Sequence, residues 1–147
     1  MSSEIIAVAC DHGGFELKDQ IMIDLNEMGY TVLDLGTDGT ASVDYPDYAN
    51  AMAKAIKDGK AEKGVLICGS GIGISIAANR HPEIRAALIH DALSARMSRL
   101  HNNANVIAFG GRMIGLETAR DCLKVFLETE FEGGRHERRV AKMSSPV

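Results

Sequence analysis

Cysteine is scarce in this chain, and what there is forms no framework. Cys10, Cys68 and Cys122 make neither a CxxC pair nor an even set, so the thiols are expected to be reduced, as in a cytoplasmic protein. No apolar run approaches the roughly 20 residues that a membrane helix needs. The opening MSSEIIAVACDHGG meets an acid and a turn too early for a signal peptide. Basic charge is not in excess either: the net charge of −4 gives no reason to expect nucleic acid or an anionic membrane as partner. With 3 prolines, 46% hydrophobic and 24% charged residues, the composition excludes fibrous and disordered classes. What remains is a globular chain of 147 residues, enough for a single domain spanning 1–147 with a core of its own.

Short apolar runs alternate with amphipathic stretches. The runs are Ile5–Cys10, Thr31–Leu35, Val65–Cys68, Ala86–Ile89 and Val106–Phe109. Four of them lack polar alternation, which suits strands buried on both faces; Thr31–Leu35 half-alternates and is placed near an edge. Between the runs, helical spacing joins Leu17, Ile21, Leu25 and Met28, then Ala49, Met52, Ala53 and Ile56. It also joins Leu93, Met97 and Leu100, then Leu116, Ala119, Leu123, Phe126 and Leu127, all read as core stripes. The stretch after Gly73, with Ile74, Ile76 and Ala77, reads as a helix buried nearly all round. Five β–α alternations predict an α/β fold: one doubly wound, mostly parallel five-stranded sheet in a Rossmann-like three-layer αβα arrangement. A polar C-terminal extension from about residue 131, GGRHERR, is expected to reach a partner subunit.

Open α/β sheets bind ligands beyond the carboxyl ends of their strands, and reactive residues gather there. Asp11-His12-Gly13-Gly14 follows the first run, Asp44-Tyr45-Pro46 lies after the second, and Cys68-Gly69-Ser70-Gly71-Ile72-Gly73 closes the third. His90-Asp91 and Gly110-Gly111-Arg112 close the fourth and fifth. Glycines at 69, 71 and 73 let backbone N–H groups approach a ligand, and a helix starting there adds its positive end. Such a nest suits a phosphate or a developing oxyanion, and its dipoles favour a thiolate at Cys68. Cys10 and Cys122 lack the nest and read as core. Arg112, Arg135 and Arg139 offer forked donors for a phosphate; the competing reading of Arg135–Arg139 is a solvated charge run. Asp11, His12 and His101 could be assembled into a metal site, but no HxH, HxxxH or CxxC spacing supports it, and no metal is expected.

These motifs, from VACDHGGFELK through DYPDYA, ICGSGIGISIAANR, SRLHNNANVIAFGGR and GLE to EGGRHERRV, resemble the sugar-phosphate isomerases typified by ribose-5-phosphate isomerase B. The similarity runs along nearly the whole chain. It implies interconversion of an aldose and a ketose phosphate without metal or organic cofactor, by a homodimer or dimer of dimers with sites shared between subunits. It further implies Cys68 as the base that moves a proton between C2 and C1 through a cis-enediolate. The Gly69–Gly73 N–H groups, Ile72 included, and Ser70 would stabilise the enediolate oxygen. The same likeness implies His101, helped by Asp11, as the acid that opens the furanose ring. His12, Arg112, Arg135 and Arg139 correspond to phosphate ligands, and Asn102 and Tyr45 to substrate contacts. Ile74 stands where many relatives carry a glutamate base, which places this chain in the cysteine branch. His101-Asn102-Asn103 departs from the His-Asn-Asp common among enzymes acting on ribose 5-phosphate and occurs in galactose-6-phosphate isomerase subunits. Ribose 5-phosphate is the expected substrate, with allose or galactose 6-phosphate as the alternative. A dinucleotide-binding oxidoreductase lacks its third glycine at Ile74; a phosphosugar-binding module without activity would need the anion site but not Cys68.

Overall fold

The computed structural model describes residues 4–145. Its strands are β1 (Ile5–Cys10), β2 (Thr31–Asp34), β3 (Lys63–Cys68), β4 (Ala86–Leu88) and β5 (Val106–Gly110). Every pairing is parallel, and the order is β2-β1-β3-β5-β4. The helices are α1 (Phe15–Glu27), α2 (Tyr45–Lys57), α3 (Ile72–Ala78), α4 (Ala92–Leu100), α5 (Leu116–Glu128) and α6 (Arg135–Ser144).

Strand periodicity sorts the core into two layers. Ile6, Val8 and Cys10 pack with Ile21 and Leu25 of α1, Ala95 of α4 and Leu123 and Phe126 of α5. Ala7 and Ala9 face the other way, with Leu66, Cys68, Met52 of α2 and Ile74 of α3. The second layer is thin because its side chains are small: a Cβ on Gly64 would lie 2.3 Å from Met52 Sδ. The α/β three-layer fold read from the sequence is therefore the one observed. After β1 the chain builds outward to β2, then returns to place β3 on β1's other side. That reversal opens a crevice between the carboxyl ends of β1 and β3.

Several expectations need correction. The Leu93, Met97, Leu100 stripe is not the buried face of α4; Leu93 is 59% exposed, and Ala95, Ser98 and Arg99 face the core instead. The helix after Gly73 is not buried all round, since Ile76 is 63% exposed and Ile72 also faces outward. Both helices turn an apolar face away from the sheet, and Ile72, Ile76 and Leu93 stay exposed among the described residues. Met28 lies past the end of α1 and is exposed, and Leu17 and Ile56 are only half-buried. β2 is an edge strand as expected, but β4 is the other edge, so Leu88 is exposed rather than buried on both faces. Beyond these corrections, the GGRHERR segment enters a helix: Gly133 and Gly134, with φ of 72° and 58°, turn the chain into α6.

Candidate active site

At the end of β3 the glycines fix where every other group stands. Gly71 has φ +76°, and a Cβ there would meet the Phe109 carbonyl carbon at 2.7 Å and the Gly110 nitrogen at 2.9 Å. Only glycine fits this turn. Its N–H donates to Cys68 Sγ at 3.2 Å, and the Ile72 N–H donates to Ser70 Oγ at 3.2 Å. Among the described residues nothing accepts from the N–H groups of Gly69 and Ser70, which leaves two donors beside the sulfur. A Cβ on Gly73 would sit 2.6 Å from the ring carbons of Tyr45, so that phenol lies directly on the turn.

β1 and β5 supply the walls. A Cβ on Gly13 would meet the Gly69 nitrogen at 2.9 Å, which brings the Asp11–Gly14 turn against the nest. Asp11 is buried, its Oδ1 accepting the Gly13 N–H at 2.9 Å. His12 Nδ1 accepts the Val43 N–H at 3.1 Å, which assigns the ring proton to Nε2 and makes that nitrogen a donor. Arg112 places Nη1 3.1 Å from where a Gly69 Cβ would be, so the guanidinium covers Gly69. Backbone bonds from Gly111 to the Cys68 carbonyl (2.8 Å) and from Arg112 to the Gly69 carbonyl (3.0 Å) hold it there.

The three thiols differ in surroundings. Cys10 and Cys122 lie in the larger core layer, and burial pushes each up to about 11. Cys68 is 5% exposed, and its sulfur accepts from the Gly71 N–H.

His101, Asn102 and Arg139 form a second group. His101 caps α4, and its ring stacks on that of His136 with centroids 4.4 Å apart and planes at 16°. Glu132 carboxylate oxygens stand 4.0 Å from Nε2 of each ring. His136 is 5% exposed and its Nε2 makes no hydrogen bond among the described residues; burial lowers its pKa, with His101 and Arg135 adding to the effect. A hollow of about 250 Å³ is lined by His101, Asn102, His136 and Arg139. Arg135 and Arg139 are exposed on α6. No hydrogen bond or ion pair joins this group to the Cys68 group among the described residues. Among the described residues Asp11 and His101 share no hydrogen bond or ion pair.

His101, Glu132 and His136 carry potential metal-ligand atoms within 4.8 Å of one another, a group that includes neither Asp11 nor His12. Its two rings lie nearly parallel, so their lone pairs run side by side instead of converging as tetrahedral coordination requires. Sequence reasoning missed Glu132, and it missed two buried cations. Lys18, 1% exposed, pairs with Asp34 Oδ1 at 2.7 Å. Its spacing with Ile21 and Leu25 (i, i+3, i+7) was the available signal. Arg99 was hidden because its partners are carbonyls that only the fold assembles.

A sulfur held by a peptide donor, two unpaired N–H groups, an imidazole donor and a guanidinium meet at the carboxyl edge of a parallel sheet. They define an α/β protein equipped for proton transfer on a small anion. The chain belongs to the Ribose/Galactose Isomerase family, whose profile matches residues 6–143. It is 46% identical over 140 residues to ribose-5-phosphate isomerase B of Escherichia coli, covering 95% of this chain and 94% of the relative. It is 45% identical over 139 residues to D-erythrulose-4-phosphate isomerase of Pectobacterium atrosepticum, covering 94% and 91%. The crystal structure of a ribose 5-phosphate isomerase from Thermotoga maritima superposes with a TM-score of 0.95 at 48% identity, covering 97% of this chain and 99% of that one. No helix among the described residues is long and apolar enough to cross a membrane.

Proposed function

We propose that this chain interconverts ribose 5-phosphate and ribulose 5-phosphate, with Cys68 as the base. The observation that carries the reading is the Gly71 N–H on Cys68 Sγ beside the unpaired donors of Gly69 and Ser70. His101 gives a proton to the furanose ring oxygen as the C1–O4 bond breaks, and Asp11 accepts the C1 hydroxyl proton, leaving an open-chain aldehyde. The Cys68 thiolate then takes the C2 proton, and negative charge moves onto the O1 oxygen of a cis-enediolate. The Gly69–Gly73 N–H groups and Ser70 stabilise that charge in a place fixed before the substrate arrives, where donors have most effect. Transfer of the O2 hydroxyl proton to O1, with delivery of a solvent-exchangeable proton from the Cys68 thiol to C1, gives the ketose.

His12 and Arg112, with Arg135 and Arg139, hold the phosphate, and Tyr45 and Asn102 contact the sugar. The lack of any bond between the Cys68 and His101 groups among the described residues supports a site shared between subunits of a homodimer or dimer of dimers. The uncovered apolar faces of α3 and α4 would supply the contact. In this reading residues 1–147 are one domain, α6 reaches the partner, and the protein works in the cytoplasm. A coupled assay with EDTA present tests the reading, comparing ribose 5-phosphate with allose, galactose and erythrose phosphates. Fastest turnover of the pentose is expected; a strong hexose preference would overturn the substrate assignment. No turnover of any of them would overturn the activity.

A further inference from the structure

We infer that Arg99 and Asn103 are positioning residues that hold the His101 turn for ring opening, and that the side chain at 103 acts through Arg99 and not on the substrate. This rests on the role proposed above for His101.

After His101 the chain must reverse from α4 into β5 within a few residues. Asn103 makes the reversal with φ +46°, the only non-glycine in the left-handed region among the described residues. Asparagine tolerates that conformation better than most side chains. Its Oδ1 accepts from Arg99 Nη1 at 2.9 Å, and its carbonyl accepts from Arg85 Nε at 2.7 Å. Both its oxygens are therefore engaged by arginines of its own chain. The side-chain Oδ1 is thus committed to Arg99, which assigns the side chain to holding the turn.

Arg99 is buried, and its further bonds go to the carbonyls of Thr129 and Ala104, with the guanidinium 5.7 Å from the Phe126 ring. No carboxylate pairs with it among the described residues. An interior cation is tolerated only when hydrogen bonds satisfy it, and here those bonds tie together the two segments that flank the imidazoles. One runs through Asn103 and Ala104 just after His101. The other is the end of α5 at Thr129, three residues before Glu132, whose N–H donates to the Leu100 carbonyl at 3.1 Å. Arg99 thus sets where His101 and Glu132 stand relative to each other.

The chemistry offers a directional test. Ribose 5-phosphate is supplied as a furanose and must be opened. Ribulose 5-phosphate has its O5 esterified, cannot close a five-membered ring, and enters already open. A fault confined to ring opening slows the aldose direction and spares consumption of the ketose. Asn103→Gly keeps the backbone conformation accessible while removing the Arg99 contact. It is expected to lower turnover of ribose 5-phosphate at least tenfold and to leave ribulose 5-phosphate consumption within twofold, reproducing the profile of His101→Ala. Asn103→Asp can still accept from Arg99 and is expected to restore the forward rate with an unchanged pentose-to-hexose ratio. Equal loss in both directions by Asn103→Gly, no loss at all, or a changed sugar ratio in Asn103→Asp would overturn the inference. Equal loss in both directions by His101→Ala would instead overturn the role given to His101.

Discussion

Around Cys68 the contacts are made by backbone: the Gly71 N–H on sulfur, the Gly111 and Arg112 N–H groups on the Cys68 and Gly69 carbonyls, and glycines packed too closely for any side chain. Around His101 they are made by side chains: a stacked imidazole, a carboxylate at 4.0 Å and a buried guanidinium. The first region is set by the backbone at the edge of the sheet. The second sits where α4 ends and α6 begins, and depends on several side chains agreeing. In the proposed mechanism, charge stabilisation falls to the part built from backbone and proton delivery to the part built from side chains.

The largest effect that could break this contrast is at the sulfur. Cys68→Ala is expected to lower turnover by about 10²–10⁴-fold, the usual contribution of a positioned base, while calorimetry still detects sugar-phosphate binding. Next comes Arg112→Ala, which removes a charge-assisted contact of about 1.5–3 kcal/mol and so should raise KM about 10- to 150-fold with a smaller change in kcat. A collapsed rate at unchanged KM would place Arg112 in the chemistry instead.

Two glycines sharpen the comparison. Gly71→Ala combines a forced positive φ, about 1–3 kcal/mol, with overlap on Phe109 and Gly110. Gly134→Ala carries a forced positive φ of its own, but nothing lies within 4 Å. Chemical denaturation should find the first clearly more destabilising than the second.

A further contrast lies in the response to pH. Burial holds the thiols of Cys10 and Cys122 protonated up to about 11, whereas the unfolded chain ionises them near 9. Their stabilisation is complete below pH 9 and lost as pH rises toward 11. His136 behaves oppositely. Its pKa lies below the ordinary 6.5, so the unfolded chain binds the proton first and stability falls as the solution is acidified below that value. Melting temperatures across pH should decline at both ends, and His136→Gln should flatten only the acid limb.

The same contrast governs what could be read from sequence. Glycines at 69, 71 and 73 encode a backbone shape, so the nest, its thiol and the strand that presents it were legible, as were the five strands. Helix faces were less so, because apolar spacing on α3 and α4 marks a surface to be covered without saying what covers it. Leu93 and Ile76 were assigned to the core for that reason. Glu132 and Arg99 were invisible, since their roles arise from residues some 30 positions away meeting in space.

The account turns on proton transfer at one sulfur, and deuterium reads it directly. Wild-type protein and Cys68→Ala would be incubated with ribose 5-phosphate in D2O and the sugar followed by NMR. Deuterium entering the exchanging carbon with the wild type, and none with the variant despite retained binding, is the predicted result. Continued incorporation by Cys68→Ala, or conversion by the wild type with no deuterium at all, would contradict it.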